Sequence, residues 1–174
     1  MTQQYGTPAK TFHWLIVALL AIQYPIGWLM PDIHRGDQPG SAMMFHLSFG
    51  LTILAVMTLR LLWRLTHRVA PEPSLPPWQR RSAEAVHGLL YLLVLATTLT
   101  GWLFASFRGW SISYFGLVPF PMLASGNPAY NRAIDGLHQA AEWTLLIVIG
   151  AHIAAALIHR FYYRDRVLQR MLPG

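Results

Sequence analysis

Eight histidines are the side chains of this 174-residue chain best placed to do chemistry. Six of them, His13, His46, His87, His138, His152 and His159, fall inside or at the edge of long apolar runs. An ionisable group there is costly and usually functional. Their depths are organised. His138 and His152 stand 14 residues apart on one run, which on a helix is about 21 Å along the axis and nearly one face. His46 opens its run from the side of His138, whereas His13 and His87 open theirs from the side of His152. Imidazole is the commonest metal ligand among side chains. Two histidine layers, one near each end of a set of helices, therefore suit two metal-bearing groups.

Other residues repeat the interval. Gly27 lies 14 residues after His13 and Gly101 lies 14 after His87, while Gly50 is one turn past His46. A glycine on an inward face lets a flat ligand approach the backbone, or lets helices pack closely. Arg60, 14 residues after His46, puts a cation in the second layer. It would pair a propionate there or snorkel to the surface. Two planar cofactors, each held between histidines of different helices, account for the pattern, and bis-histidine haem needs no cysteine. The chain has none, which excludes thiolate metal sites, iron–sulfur clusters, disulfides and thioether-linked haem. A non-haem metal site is the rival: Glu84 and His87 form Glu-x-x-His, but di-iron bundles need two such motifs and further carboxylates. A haem-free scaffold or ion carrier, with each histidine bonding a neighbouring helix, is the third reading.

These side chains need an apolar frame, and the composition supplies it. Hydrophobic residues make up 54% and charged residues only 11%, about half the charged share of an ordinary soluble domain. Four apolar runs, residues 12–30, 42–62, 83–105 and 134–158, are each about the 20 residues that cross a bilayer. The first contains Tyr24, Pro25 and Trp28 and no small-residue cleavage site follows it, so it is expected to be a retained helix. The connections are turn-rich at 31–39, proline-rich at 71–77, and long and aromatic at 106–132, the last suiting a membrane interface. Lys10, Arg60, Arg64, Arg68, Arg80, Arg81, Arg160, Arg164, Arg166 and Arg170 fall on one side, against Arg35, Arg108 and Arg132 on the other. That bias places both termini in the cytoplasm. It also ties the formal charge of +6 to topology and lipid, not to nucleic acid. The expected fold is all-α: one membrane domain over residues 1–174, an antiparallel bundle of four transmembrane helices holding two haems.

The chain resembles the prokaryotic cytochrome b561 family, related to the cytochrome b subunits of nickel–iron hydrogenases. The resemblance covers essentially all of it. It rests on Lys10-x-x-His13-Trp14, on His46, and on Arg60-Leu-Leu-Trp63-Arg64. It rests also on Glu84-x-x-His87-x-x-x-Tyr91 and on Leu137-His138 with His152. The resemblance implies two non-covalent b haems in a bacterial inner membrane. It implies the pairing as well: His46 with His138 toward the periplasm, and His13 with His152 toward the cytoplasm. Geometry alone leaves His87 as a rival for the second haem.

For a short stand-alone member, the resemblance implies oxidation of superoxide at the periplasmic face and reduction of ubiquinone toward the cytoplasmic face. The alternative is an electron relay between a dehydrogenase or hydrogenase-type partner and the quinone pool. The chain carries no soluble electron-carrier domain, so the donor is expected to be a small oxygen species or a redox partner protein. Arg108 and Arg132 flank the long connection and could attract an anion, although Asp32, Asp37 and Asp135 bring that face near neutrality. His87 and His159 are candidates for delivering protons to a quinone, with Trp14 and Tyr91 candidates for packing its ring. His87 could instead hold a propionate, and His159 could be a helix cap. His34 and His67 fall in loops, and Glu142, one turn from His138, has no assigned role.

Overall fold

The computed structural model describes residues 4–172 apart from 35, 68, 70, 71, 73 and 74. Arg35 and Arg68, both used in the charge count, lie outside the described residues, as does part of the 71–77 connection. Among the described residues, four helices are long and apolar enough to cross a membrane: α1 (Thr7–Leu29), α2 (Ser41–Thr66), α3 (Pro77–Phe107) and α4 (Pro128–Ile158). Each runs past one or both ends of its apolar stretch. Hydropathy marks what lipid touches, whereas a helix continues through polar residues until its backbone is capped. Pro8 and Pro77 sit in first turns, where a missing N–H costs nothing. Asn127 caps α4, its side-chain oxygen accepting from Ala129 N at 3.1 Å.

Helix α1 packs on α2, α2 on α3, and α3 on α4, yet no Cα of α1 lies within 8 Å of one in α4. The bundle therefore has a slot between its first and last helices, bridged by side chains. Tyr24 Oη donates to the Glu142 carbonyl at 2.9 Å, and Trp28 stacks on Trp143. Helix α2 is the best-buried element, through Met43, Leu47, Ser48, Leu51, Ile53 and Met57. Most other apolar side chains face outward, as Leu92 and Ile147 do, which suits a bundle with lipid as its solvent.

The two ends close differently. At one, the 106–132 connection carries a small hairpin, β1 (Ser113–Tyr114) with β2 (Val118–Pro119), turned by Phe115 and Gly116 at φ 49° and 73°. Ser48 Oγ, fully buried, accepts the Phe115 N–H at 2.9 Å, and the Tyr114 and Thr52 hydroxyls share a 2.9 Å hydrogen bond. Trp110 is buried beneath, donating to the Asp37 carbonyl at 2.9 Å. At the other end a π-helical turn, His159–Tyr163, follows α4, and Arg164 at φ 53° reverses the chain. The tail then folds back over α1: Trp14 Nε1 donates to the Met171 carbonyl at 2.9 Å. Arg170, buried, pairs with buried Glu72 at 3.7 Å. We call these the hairpin end and the termini end.

Candidate functional site

The two histidine layers read from the sequence are present as ring contacts. His46 of α2 faces His138 of α4 at the hairpin end, with ring centroids 6.4 Å apart. His13 of α1 faces His152 of α4 at the termini end, also at 6.4 Å. His87 of α3 approaches the same His152 at 5.6 Å, so the rivalry for the second group persists in three dimensions. His159, His34 and His67 stand apart from both layers. His159 binds Asp165 through Nδ1, His34 is exposed beside Asp37, and His67 stacks on Trp63 at 3.7 Å.

At the hairpin end the pair borders an open, mostly apolar cleft. Gly27, Gly50 and Gly101 all line it, with Gln23, Tyr24, Thr97 and Glu142. Two of the glycines have a sharper purpose than admitting a flat ligand. A Cβ on Gly101 would sit 2.9 Å from His138 Cε1, and one on Gly27 would sit 3.2 Å from His46 Cε1. They make room for the imidazoles themselves. Gly50 is looser, its nearest neighbour being Gln23 Nε2 at 3.5 Å. His138 Nδ1 lies 2.9 Å from the Thr97 carbonyl. A carbonyl only accepts, so this nitrogen carries the proton and Nε2 keeps its lone pair for a metal. Gln23 Nε2 donates to the His46 carbonyl at 3.0 Å, steadying the opposite ring's backbone.

At the termini end the neighbours are charged. Arg60 Nε donates to Tyr91 Oη at 3.0 Å, and the Arg60 and Arg64 guanidinium carbons stand 5.7 and 5.8 Å from the Tyr91 ring centre. Tyr91 is one helical turn beyond His87. Trp14, a candidate above for packing a quinone ring, stands beside His13 at 5.4 Å and bonds the C-terminal tail.

Haem fits these residues on three observations. Metal–imidazole bonds of about 2 Å on both sides, plus about 1 Å from each nitrogen to its ring centre, give roughly 6 Å between centroids, as both pairs have. His46 Nδ1, Gln23 Oε1 and Thr97 Oγ1 are buried around the cleft without partners, a state that leaves polar groups in want of a ligand. Arg60 Nη1 is likewise buried and unpartnered, as a carboxylate-binding group would be.

The sequence profile of prokaryotic cytochrome b561 matches residues 4–174. The chain belongs to that family. It is 30% identical over 172 residues to "Cytochrome b561 homolog 2" of Escherichia coli (strain K12), covering 98% of this chain and 92% of that one. It is 31% identical over 176 residues to "Probable superoxide oxidase CybB" of Yersinia pestis, covering 99% and 98%. A "Cytochrome b562" of Cereibacter sphaeroides is 27% identical over 182 residues, again covering 99% and 98%. Membership makes this chain a multi-pass bacterial membrane protein that transfers electrons through b-type haem.

Several residues named from the sequence lie apart from both pairs. Arg108 donates to the His34 carbonyl and covers Trp110 at 4.8 Å, so its contacts serve the loop. Arg132 and Glu84 are exposed. Gln23, Tyr24 and Thr97, conversely, were not singled out for the site although they line it. The polar pair Gln23-Tyr24 inside an apolar span was the available signal for α1. The Thr97 carbonyl had none, because backbone acceptors are silent in a sequence.

Proposed function

We propose that the chain carries electrons through two b haems, one at each end of the bundle. His46 and His138 would be the axial ligands at the hairpin end, and His13 and His152 those at the termini end. The observation that carries this is the equal 6.4 Å separation of the two pairs, about 21 Å apart along α4. The haems, when bound, supply one-electron transfer. The protein does the rest. Thr97 holds the His138 proton on Nδ1, Gly27 and Gly101 admit the rings, and Arg60 and Arg64 offer cations to a propionate. The charge bias puts both termini in the cytoplasm, so the hairpin end faces the periplasm.

The Yersinia pestis relative's name supports superoxide as the donor, and ubiquinone is the acceptor that the family resemblance implies. Two superoxide ions give up one electron each at the hairpin end and leave as dioxygen. At the termini end ubiquinone gains those two electrons and two protons to become the quinol. Superoxide crosses hydrocarbon poorly because burying its charge is costly, which fits oxidation at the face where it arises. His87, half-buried beside His152, is the nearest group able to relay a proton to the quinone. His159, held by Asp165 at the same end, could pass protons inward from the cytoplasm.

The test is turnover in liposomes or nanodiscs. Superoxide should reduce the haems, and ubiquinone should reoxidise them catalytically. Haem reduction by quinol or a dehydrogenase, with no response to superoxide, would favour the relay reading. His87→Ala should keep both haems and their reduction by superoxide, yet slow quinone turnover. Parallel loss of both steps would place His87 with the haem instead.

A further inference from the structure

The two ends differ in the sign of the charge built into their walls. At the termini end, Arg60 reaches Tyr91 with Nε and keeps Nη1 buried and unpartnered. Arg64 stands on the same tyrosine ring. At the hairpin end, Glu142 lines the cleft beside His46 and His138, one helical turn beyond His138. Its main-chain carbonyl is taken by Tyr24 Oη, which fixes this stretch of α4 against α1. Among the described residues no arginine or lysine lines that cleft. Asp32, Asp37 and Arg132 are outside it, where solvent and salt screen them.

We propose that Arg60 and Glu142 set the midpoint potentials of the two haems apart, the termini-end haem being the stronger electron acceptor. The inference rests on the two-haem reading. Reducing a haem adds one negative charge. A half-buried guanidinium stabilises that charge, and a carboxylate in the wall, when ionised, opposes it. Potentials of iron centres respond to local net charge and burial in this way. A unit charge about 10 Å from a redox centre, at an effective dielectric of about 20, shifts a one-electron equilibrium roughly tenfold. Both residues push the same way: the electron is disfavoured at the hairpin end and favoured at the termini end. Direction of flow is then built into the protein before any quinone binds. Glu142 gains a role that neither haem ligation nor packing gives it.

Spectroelectrochemical titration of the purified, haem-loaded protein tests this, with haem per chain measured on the same sample. The wild type should titrate in two separated steps, the termini-end haem higher. Arg60→Gln should lower the higher step by about tenfold in equilibrium constant, about 59 mV for one electron, and Arg60→Lys should restore it. Glu142→Gln should raise the lower step by a similar amount, and Glu142→Asp should not. If Arg60→Gln sheds its haem, Arg64→Gln should give the same downward shift, smaller in size. Two haems with unchanged potentials in Glu142→Gln and in the arginine variants would overturn the inference and leave the two-haem reading standing. One haem per wild-type chain would sink the two-haem reading itself.

Discussion

The hairpin end and the termini end carry histidine pairs of identical separation in walls of opposite character. At the hairpin end the clamps are neutral hydrogen bonds to backbone: Ser48 to Phe115, Trp110 to Asp37, and Ser106 Oγ accepting from Leu123 N at 3.0 Å. At the termini end they run between ionisable side chains or from arginine to an aromatic ring: Arg170 with Glu72, His159 with Asp165, and two arginines on Tyr91. Burial favours the first solution, because a loop packed against a helix must pair the N–H groups that it buries. The second suits an end rich in arginine, where charged groups meet water and lipid headgroups. The lesson is that the ligand pairs define what is held, and the surrounding walls define how each held group behaves.

The comparison breaks most cleanly at the ligands. His138→Ala and His46→Ala should each lose the same haem, and His13→Ala and His152→Ala the other, so that each variant keeps about half the haem of the wild type. Retention of all haem in any of the four would void the pairing. Truncating the ion pair at the termini end comes next. Arg170→Ala leaves Glu72 buried against a lost partner, and such breaks cost about 3–5 kcal/mol. Thermal unfolding in detergent should report it, and a wild-type melting temperature would mean the tail does not clasp the bundle.

Smaller effects sharpen the contrast. Gly101→Ala drives a methyl to 2.9 Å from His138, an overpacking worth about 1–3 kcal/mol. The hairpin-end haem should weaken or change its spectrum while the other stays as it was. Gly50→Ala, with 3.5 Å to a flexible glutamine, should leave both bands alone. Ser48→Ala leaves the Phe115 N–H unpaired in a buried place, costing about 1–3 kcal/mol. That loss should appear as destabilisation without loss of haem from the termini end.

Much of this was legible in the sequence. Apolar runs gave the four helices, because a bilayer demands length and hydrophobicity before anything else. The histidine intervals gave the two layers, because a helix converts spacing into depth and face. Which imidazole opposes which was not legible from spacing. His87 and His13 both reach His152, and only the family resemblance chose between them. The hairpin was also missed. Its aromatic residues suggested an interface segment but not its shape, because Ser48 and Thr52 draw Phe115 and Tyr114 onto α2 through polar atoms scattered over 67 positions. The clasp at the termini end depends on Glu72 meeting Arg170 across more than half of the chain, a pairing that no local pattern encodes.

The central claim is that one haem sits at each end of the bundle. Quantitative haem extraction against protein concentration, on material purified in mild detergent with haem in excess, tests it most directly. The account predicts two b haems per chain, both bis-histidine by low-temperature electron paramagnetic resonance. A single haem per chain, or none, would contradict it.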